Sequence, residues 1–510
     1  MSKQSSASRH VLGLMGSAAL VSAALVVGGA APADASGFAA ARFGGEHGNP
    51  TESNPSALYY NPGGIGMSSG TRLMIDLSLV WRNTSYDRPV SSIDNPVQQD
   101  NGMGGTADHP LGLDANSGEA TLQNFLYSPA LAVTSDFGGL PIVAGFGFFA
   151  PFGGSAVWDE YSQFEGSIYP GAVDGSQRWY SIEGSIRSLM LSAGAAYYVK
   201  PARLSIGVAA NYYIHQVNTI RARNAPGDDD LLSCPANGAC VDQDGATNAP
   251  LAEGRSRVDV SGNDLGFGLG VLWEPLEEQL WLGLSYQSQP GVTGGSVLEG
   301  TLENYLGTTP ATKEDVKFTQ NLPDIIRLGA RYRPMPELEL RLFGDLTRWS
   351  VFEQQCLASG RIAEGDLETA CEIDSNGASV NAEFATSIIQ VLSRNWEDAI
   401  GVRAGASYWL MERDLELIVG GGFDGNAVPD NRLEPALIDM NKYSVALGAR
   451  YQFIEQLALM LTATNVFYAE RDTSGTGTAN TLALPSRQPA SDGIYNQNIF
   501  LINTNLEFAF

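Results

Sequence analysis

The sequence predicts an all-β fold: a transmembrane antiparallel up-and-down β-barrel of about fourteen strands, preceded by a small N-terminal segment. Three observations carry this. Strand candidates stop and restart across 136–141, 199–203, 274–279, 334–336, 410–413 and 453–456, while the gaps between these turns, such as 83–123, 224–253 and 351–396, are long. Short turns at one end and long loops at the other are the pattern of a membrane barrel. The strands alternate: Leu73, Ile75, Leu77, Leu79 and Trp81 share one face of 71–82, and Arg72, Asp76, Ser78 and Arg82 the other. A soluble sandwich would alternate too, but the chain also ends on an aromatic strand, with Phe500, Ile502, Leu506, Phe508 and Phe510 set against Asn503, Asn505 and Glu507.

The expected strands are 71–82, 125–136, 141–150, 185–199, 203–223, 254–274, 279–290, 313–333, 337–350, 397–409, 413–424, 439–453, 456–469 and 494–510. Several exceed the ~9–11 residues that cross a bilayer, so they are expected to project beyond it at the long-loop end. An even count puts both barrel ends on the short-turn, periplasmic side.

Residues 1–35 read as a secretory signal: Lys3 and Arg9, an apolar run from Val11 to Ala31, then Ala33-Asp34-Ala35 as a small-x-small cleavage site. The other reading is a single membrane anchor. The domain plan is therefore 1–35 signal, 36–70 N-terminal element and 71–510 barrel. The 36–70 stretch is rich in Gly, Asn and Pro, with Asn49-Pro50, Asn54-Pro55 and Asn61-Pro62, and does not read as strand. A fourteen-stranded barrel is too wide for its own side chains to fill, so this stretch is the candidate plug.

Removing residues 1–35 takes away Lys3, Arg9 and Asp34, leaving 28 basic against 55 acidic residues. That balance argues against nucleic acid as a partner. The acids cluster in long gaps (Asp228–Asp230, Glu364, Asp366, Glu368), where they would be solvated beside lipopolysaccharide. The cysteines, Cys234, Cys240, Cys356 and Cys371, fall two to a gap and off the expected strands. In an exported chain local pairs Cys234–Cys240 and Cys356–Cys371 are expected, though three connectivities are open. A metal site at these cysteines is the weaker reading, because no His lies nearby.

An enzyme is the rival class. Gly66-Met67-Ser68-Ser69-Gly70 matches G-x-S-x-G but follows a Pro/Gly stretch with no helix after it. His47, His109 and His215 show no evident Ser/Asp partner in the sequence, and the Gly266–Gly270 cluster opens no helix.

Short runs in order along the whole mature chain resemble the FadL-type family of outer-membrane transporters for long-chain fatty acids and other hydrophobic compounds. They are Ser36-Gly37-Phe38, the run from Asn54 to Gly63, 147–160, Asn321-Leu322-Pro323, Thr347-Arg348-Trp349-Ser350, Trp396-Glu397-Asp398 and 423–432. Gly63 departs from the family's Ala, which would loosen the segment.

The resemblance implies a monomer without cofactor in a Gram-negative outer membrane. Its N-terminal hatch would include Asn61, Pro62 and Gly63, and its apolar pocket Phe38, Phe149 and Phe152. It further implies a lateral opening at a kink in the third strand, here Ala150, Pro151, Gly153 and Gly154; Pro and paired glycines suit a broken ladder, although the strand could also simply end at Ala150. It implies basic residues for a ligand carboxylate, here Arg221 and, nearest to the second position, Arg394; a guanidinium offers a permanent charge and a fork. Arg221 could instead pair with a lumen carboxylate. The expected partners are a fatty acid or other hydrophobic small molecule, outer-membrane lipid and lipopolysaccharide, and the barrel-assembly machinery through Phe510. A general diffusion porin and a surface adhesin are the remaining alternatives.

Overall fold

The computed structural model describes residues 42–93, 98–100, 106–108, 110–167, 169–223, 232–233, 241–242, 253–292, 295–306, 310–477 and 482–510. Residues 1–35, Phe38, Cys234 and Cys240 lie outside these.

Nineteen hydrogen-bonded segments form one closed sheet of fourteen strands, because five strands are each interrupted once. The strands are β1 (Thr71–Arg88), β2 (Gly118–Ser135), β3 (Ile142–Val157), β4 (Glu183–Val199), β5 (Leu204–Arg223), β6 (Gly254–Leu276), β7 (Leu280–Gln287 and Ser296–Leu306) and β8 (Thr312–Gln320 and Ile325–Met335). They continue with β9 (Leu338–Thr347 and Gln354–Ser359), β10 (Ile388–Ser393 and Ala399–Leu410), β11 (Leu415–Asp424), β12 (Lys442–Ile454), β13 (Leu457–Tyr468 and Arg471–Asp472) and β14 (Ile494–Ala509). Each pairs antiparallel with the next, and β14 closes on β1 from Arg72↔Ala509 to Asp87↔Ile494. The Thr71 and Phe510 backbones exchange hydrogen bonds at 3.1 and 2.8 Å.

The alternation read from the sequence divides lipid from lumen. On β1, Met74, Asp76, Val80 and Arg82 are buried inside, while Ile75, Leu77 and Trp81 are exposed outside. Leu265, Leu328 and Leu447 are more than 60 % exposed on the outer surface. A continuous apolar exterior of this kind needs hydrocarbon, not water, around it.

Several strands run further than expected. β1 continues to Arg88 and β2 starts at Gly118. There the inward residues are Arg82, Thr84, Tyr86 and Arg88, so an apolar/polar reading loses the pattern although the burial alternation persists. β8 breaks at 321–324 around Pro323, as proline's missing donor requires. β9 and β10 resume at Gln354–Ser359 and Ile388–Ser393 within an expected loop. Cys356 consequently sits on a strand, not in a loop; its Sγ is bonded to that of Cys371, fastening the intervening chain to the wall.

Residues 42–70 lie inside the ring. Phe43, Ala57, Leu58, Tyr59, Tyr60 and Ile65 pack on Met74, Ala130, Val143, Phe149, Met190 and Tyr213 of the inner wall. The three Asn-Pro units fold by related logic. Asn49 Oδ1 accepts from the Thr51 amide at 2.9 Å, Asn54 Oδ1 from the Ser56 amide at 3.0 Å, and Asn61 Oδ1 from the Gly63 amide at 3.0 Å. Each side chain thus replaces a backbone turn partner. Asn61 Nδ2 donates to the Pro50 carbonyl at 2.7 Å and to the Val271 carbonyl of β6 at 2.9 Å. Gly63 is not a loosened Ala: a Cβ there would stand 2.6 Å from the Gly270 carbonyl oxygen, so the bare backbone is what permits the contact.

Candidate functional site

The site begins at a fault in β3. Phe149 is opposite Met190 and Phe152 opposite Ser188, so three steps on β3 answer two on β4. Ala150 and Pro151 form this bulge, and the ladder resumes beyond it through Gly153↔Arg187 and Gly154↔Ile186 as far as Val157↔Glu183. The strand therefore does not end at Ala150. A one-residue bulge shifts the side-chain phase. Phe149 and Phe152, of opposite parity, are both turned inward and are 0 % and 1 % exposed.

On its other edge β3 separates from β2. The β2–β3 ladder spans only Leu131↔Phe148 to Ser135↔Ala144, whereas β1 and β2 pair along their whole length, from Thr71↔Ser135 to Arg88↔Gly118. Past the bulge side chains reach β3 instead: Asn124 Nδ2 of β2 and Arg82 Nη1 of β1 donate to the Ser155 carbonyl at 2.7 and 3.2 Å. Beyond the end of β3, the Asp159 amide donates to the Thr121 carbonyl at 2.9 Å.

Behind this bridge lies a cavity of about 1110 Å³ including its mouth. Its lining is part apolar, with Ile186, Val217, Val258, Phe318, Leu357 and Leu392, and part polar, with Arg82, Tyr180, Arg221, Gln390, Arg394, Glu434 and Gln497. Arg221 and Arg394 are thus brought together, and Gly154 joins them in the lining. Their circumstances differ. Arg394 is buried and committed: Nη1 meets Glu434 Oε1 at 2.8 Å, and Nε and Nη2 donate to Gln355 Oε1 at 2.9 and 2.7 Å. Arg221 is half-buried and has no hydrogen-bond or ion-pair partner among the described residues. On the neighbouring external loop, burial and the like charge of Arg394 push the Arg432 guanidinium below its ordinary range. This corner has a surplus of positive charge, which an entering anion would relieve.

Phe149 and Phe152 are not among the residues lining this cavity. Phe149 packs on the N-terminal segment, 5.1 Å from the Phe43 ring and 5.6 Å from that of Tyr59. Phe152 belongs to an aromatic layer with Trp349 (6.3 Å), which stacks edgewise on Trp396 (4.9 Å), itself 4.8 Å from Phe352. The bulge turns the two rings inward but hands them to different clusters. Further toward the short turns a second, more polar cavity of about 770 Å³ lies beside the N-terminal segment, lined by Arg42, Glu46, Tyr59, Arg327, Asp345, Arg403 and Asp424.

Sequence reasoning missed Arg82, Gln355 and Glu434. Arg82 stood at the last residue of an expected strand, and the other two in expected loops. It also missed a polar set in the wall: Ser188 Oγ lies 2.6 Å from His215 Nδ1, and His215 Nε2 lies 3.2 Å from Asp264 Oδ2. His215 does have Ser and Asp partners, supplied by cross-strand register and so invisible in the sequence. Ser188 is 1 % and His215 0 % exposed, which seals them against a substrate carbonyl.

A closed fourteen-stranded barrel with an internal N-terminal segment and an amphipathic inner chamber defines the class: outer-membrane channels for hydrophobic compounds. The chain belongs to the outer membrane protein transport protein family (OMPP1/FadL/TodX), whose profile matches residues 18–510. No curated protein matches the chain. Among solved structures it is similar to a Pseudomonas aeruginosa FadL homologue (TM-score 0.68, 14% identity, 93% of this chain and 100% of that one). It is also similar to the toluene transporters TodX of P. putida (0.55, 14%, 92% and 97%) and TbuX of Ralstonia pickettii (0.53, 14%, 91% and 96%). At such identities the likeness speaks for the fold.

Proposed function

We propose that the chain is a passive channel for amphipathic hydrophobic molecules with an anionic head, of the long-chain fatty acid kind. The observation that carries this is Arg221: a cation with no partner among the described residues, in a chamber lined in part by apolar side chains. A neutral hydrocarbon gains nothing from it, whereas a carboxylate leaving water needs such a donor. The tail contributes most of the affinity through burial, at about 25 cal/mol per Å².

In this reading the ligand enters from the long-loop end, rests in the chamber and leaves sideways where β2 and β3 part. Residues 42–70 act as the hatch that closes the axial route, and the chain works as a monomer. The support is the short β2–β3 ladder beside the chamber and the contacts of the N-terminal segment around the inner wall. Toluene is what the TodX and TbuX relatives are described as transporting; a neutral aromatic cargo is therefore the competing reading, and the Phe152–Trp349–Trp396 layer would suit it. Uptake of labelled oleate, toluene and a small sugar by cells with and without the chain separates the readings. Oleate uptake alone should depend on the chain. Dependence for the sugar would make it a diffusion porin, and dependence for none would leave an adhesin.

A further inference from the structure

Arg223 repeats Arg221 one step further out. The ladder of β5 with β6 runs without a register shift through Arg221↔Ser256 and Arg223↔Gly254. The two arginines therefore share the face that Arg221 turns to the chamber, about 7 Å apart along the strand. β5 rises from a short turn and ends at a long gap, so Arg223 stands on the outer side of Arg221. Arg221 lines the chamber, and Arg223 is not part of that lining. Arg223 is half-buried, and its Nη1 is sealed from solvent without a hydrogen-bond partner among the described residues. Glu314, exposed near the outer start of β8, acts on it through space but forms no ion pair with it.

We propose that Arg223 is the outer capture residue for an anionic head group, which meets it before passing to Arg221 in the chamber. This rests on the reading of the chamber as the ligand site. The chain carries a formal net charge of -26, so an approaching anion is repelled overall, and a cation at the entrance counters that field locally. Arg394 cannot share this step, because Glu434 already holds it within the chamber. A carboxylate bound at Arg221 is one strand step away from Arg223 and does not touch it. Arg223 thus acts on arrival and Arg221 on residence, the division expected between a charge at the rim of a site and one inside it. A neutral molecule of the same length passes Arg223 without responding to it.

The test is stopped-flow binding of cis-parinaric acid, a fluorescent long-chain fatty acid, and of its methyl ester to the full-length protein in detergent. R223Q should lower the association rate constant of the acid about threefold, the Boltzmann factor of one unit charge about 7 Å away in water, and leave its dissociation rate as it was. The ester should keep its native rates. R223K, which keeps the charge, should restore association, and in about 1 M salt the difference between native and R223Q should vanish. Arg221→Ala, by contrast, should speed dissociation of the acid. An R223Q association rate equal to the native one would overturn the capture role. Equal slowing of the ester would overturn it too, making Arg223 a support of the entrance, and faster dissociation from R223Q would overturn it by placing Arg223 in the bound site. Each of these leaves the chamber assignment standing, whereas no binding of the acid to the native protein would overturn both. Should R223Q fail to fold, Arg223→Cys carrying a cationic or a neutral thiol label gives the same comparison: only the cationic label should restore association of the acid, and equal rates with the two labels would overturn the proposal.

Discussion

Phe149 and Phe152 are three residues apart on one strand, yet both point into the barrel, because Ala150 and Pro151 together answer a single residue of β4. An uninterrupted strand would send one of them into lipid. The pair marks where β3 stops pairing with β2, with one ring on the N-terminal segment and the other in the aromatic layer.

Deleting Pro151 should remove the extra residue and restore the alternation. β3 is then expected to extend its ladder with β2 beyond Leu131↔Phe148 and to close the gap. Oleate uptake should fall to the level of cells lacking the chain, while the protein still migrates as a folded, heat-modifiable barrel. Undiminished uptake would place the exit elsewhere.

Gly63 should tolerate no side chain. A Cβ would meet the Gly270 backbone at 2.6 and 2.7 Å, and overpacking of this kind costs about 1–3 kcal/mol. Gly63→Val is expected to loosen residues 42–70 from the wall, seen as raised single-channel conductance for small ions and faster amide exchange at 57–66. Conductance equal to that of the native protein would argue against a plug.

The Cys356–Cys371 bond closes a short loop on the outer part of β9. Chain-entropy reasoning assigns a loop of 15 residues about 3 kcal/mol. Replacing both cysteines with Ala should increase exchange in 360–387 while leaving the barrel transition unchanged. Peptide mapping of unreduced protein should recover the Cys356–Cys371 peptide, and a Cys234–Cys371 peptide would contradict the structure.

Most of the barrel was legible in the sequence because turns and alternation are local. All the short turns and the strand count follow from residue order alone, whereas the kink at Pro151, Gly153 and Gly154 came from the resemblance, the residues by themselves leaving open an end of the strand at Ala150. Arg221 and Arg394 came from resemblance, since nothing local separates a chamber arginine from one paired across the lumen. The upper parts of β9 and β10 were illegible for a physical reason. Cys356 and Ala358 face a packed external loop while Gln355 and Leu357 face the chamber, so both faces are covered and the alternation disappears. The Ser188–His215 contact and the Arg82 bridge depend on cross-strand register, which no single segment encodes.

Accessibility labelling should show the long-loop end outside. A tag near Ser375 is expected to be reachable on intact cells and one at Met335, in a short turn, is not. Labelling at Met335 would invert the barrel.

The central claim is that Arg221 reads an anionic head group in a partly apolar chamber. The most direct measurement is binding of oleate and of hexadecane to the native protein and to Arg221→Ala. Oleate affinity should fall by about 1.5–3 kcal/mol, the range for hydrogen bonds to charged groups, while hexadecane affinity stays as it was. Equal loss for both ligands would make Arg221 a support of the fold, and no loss for either would contradict the site.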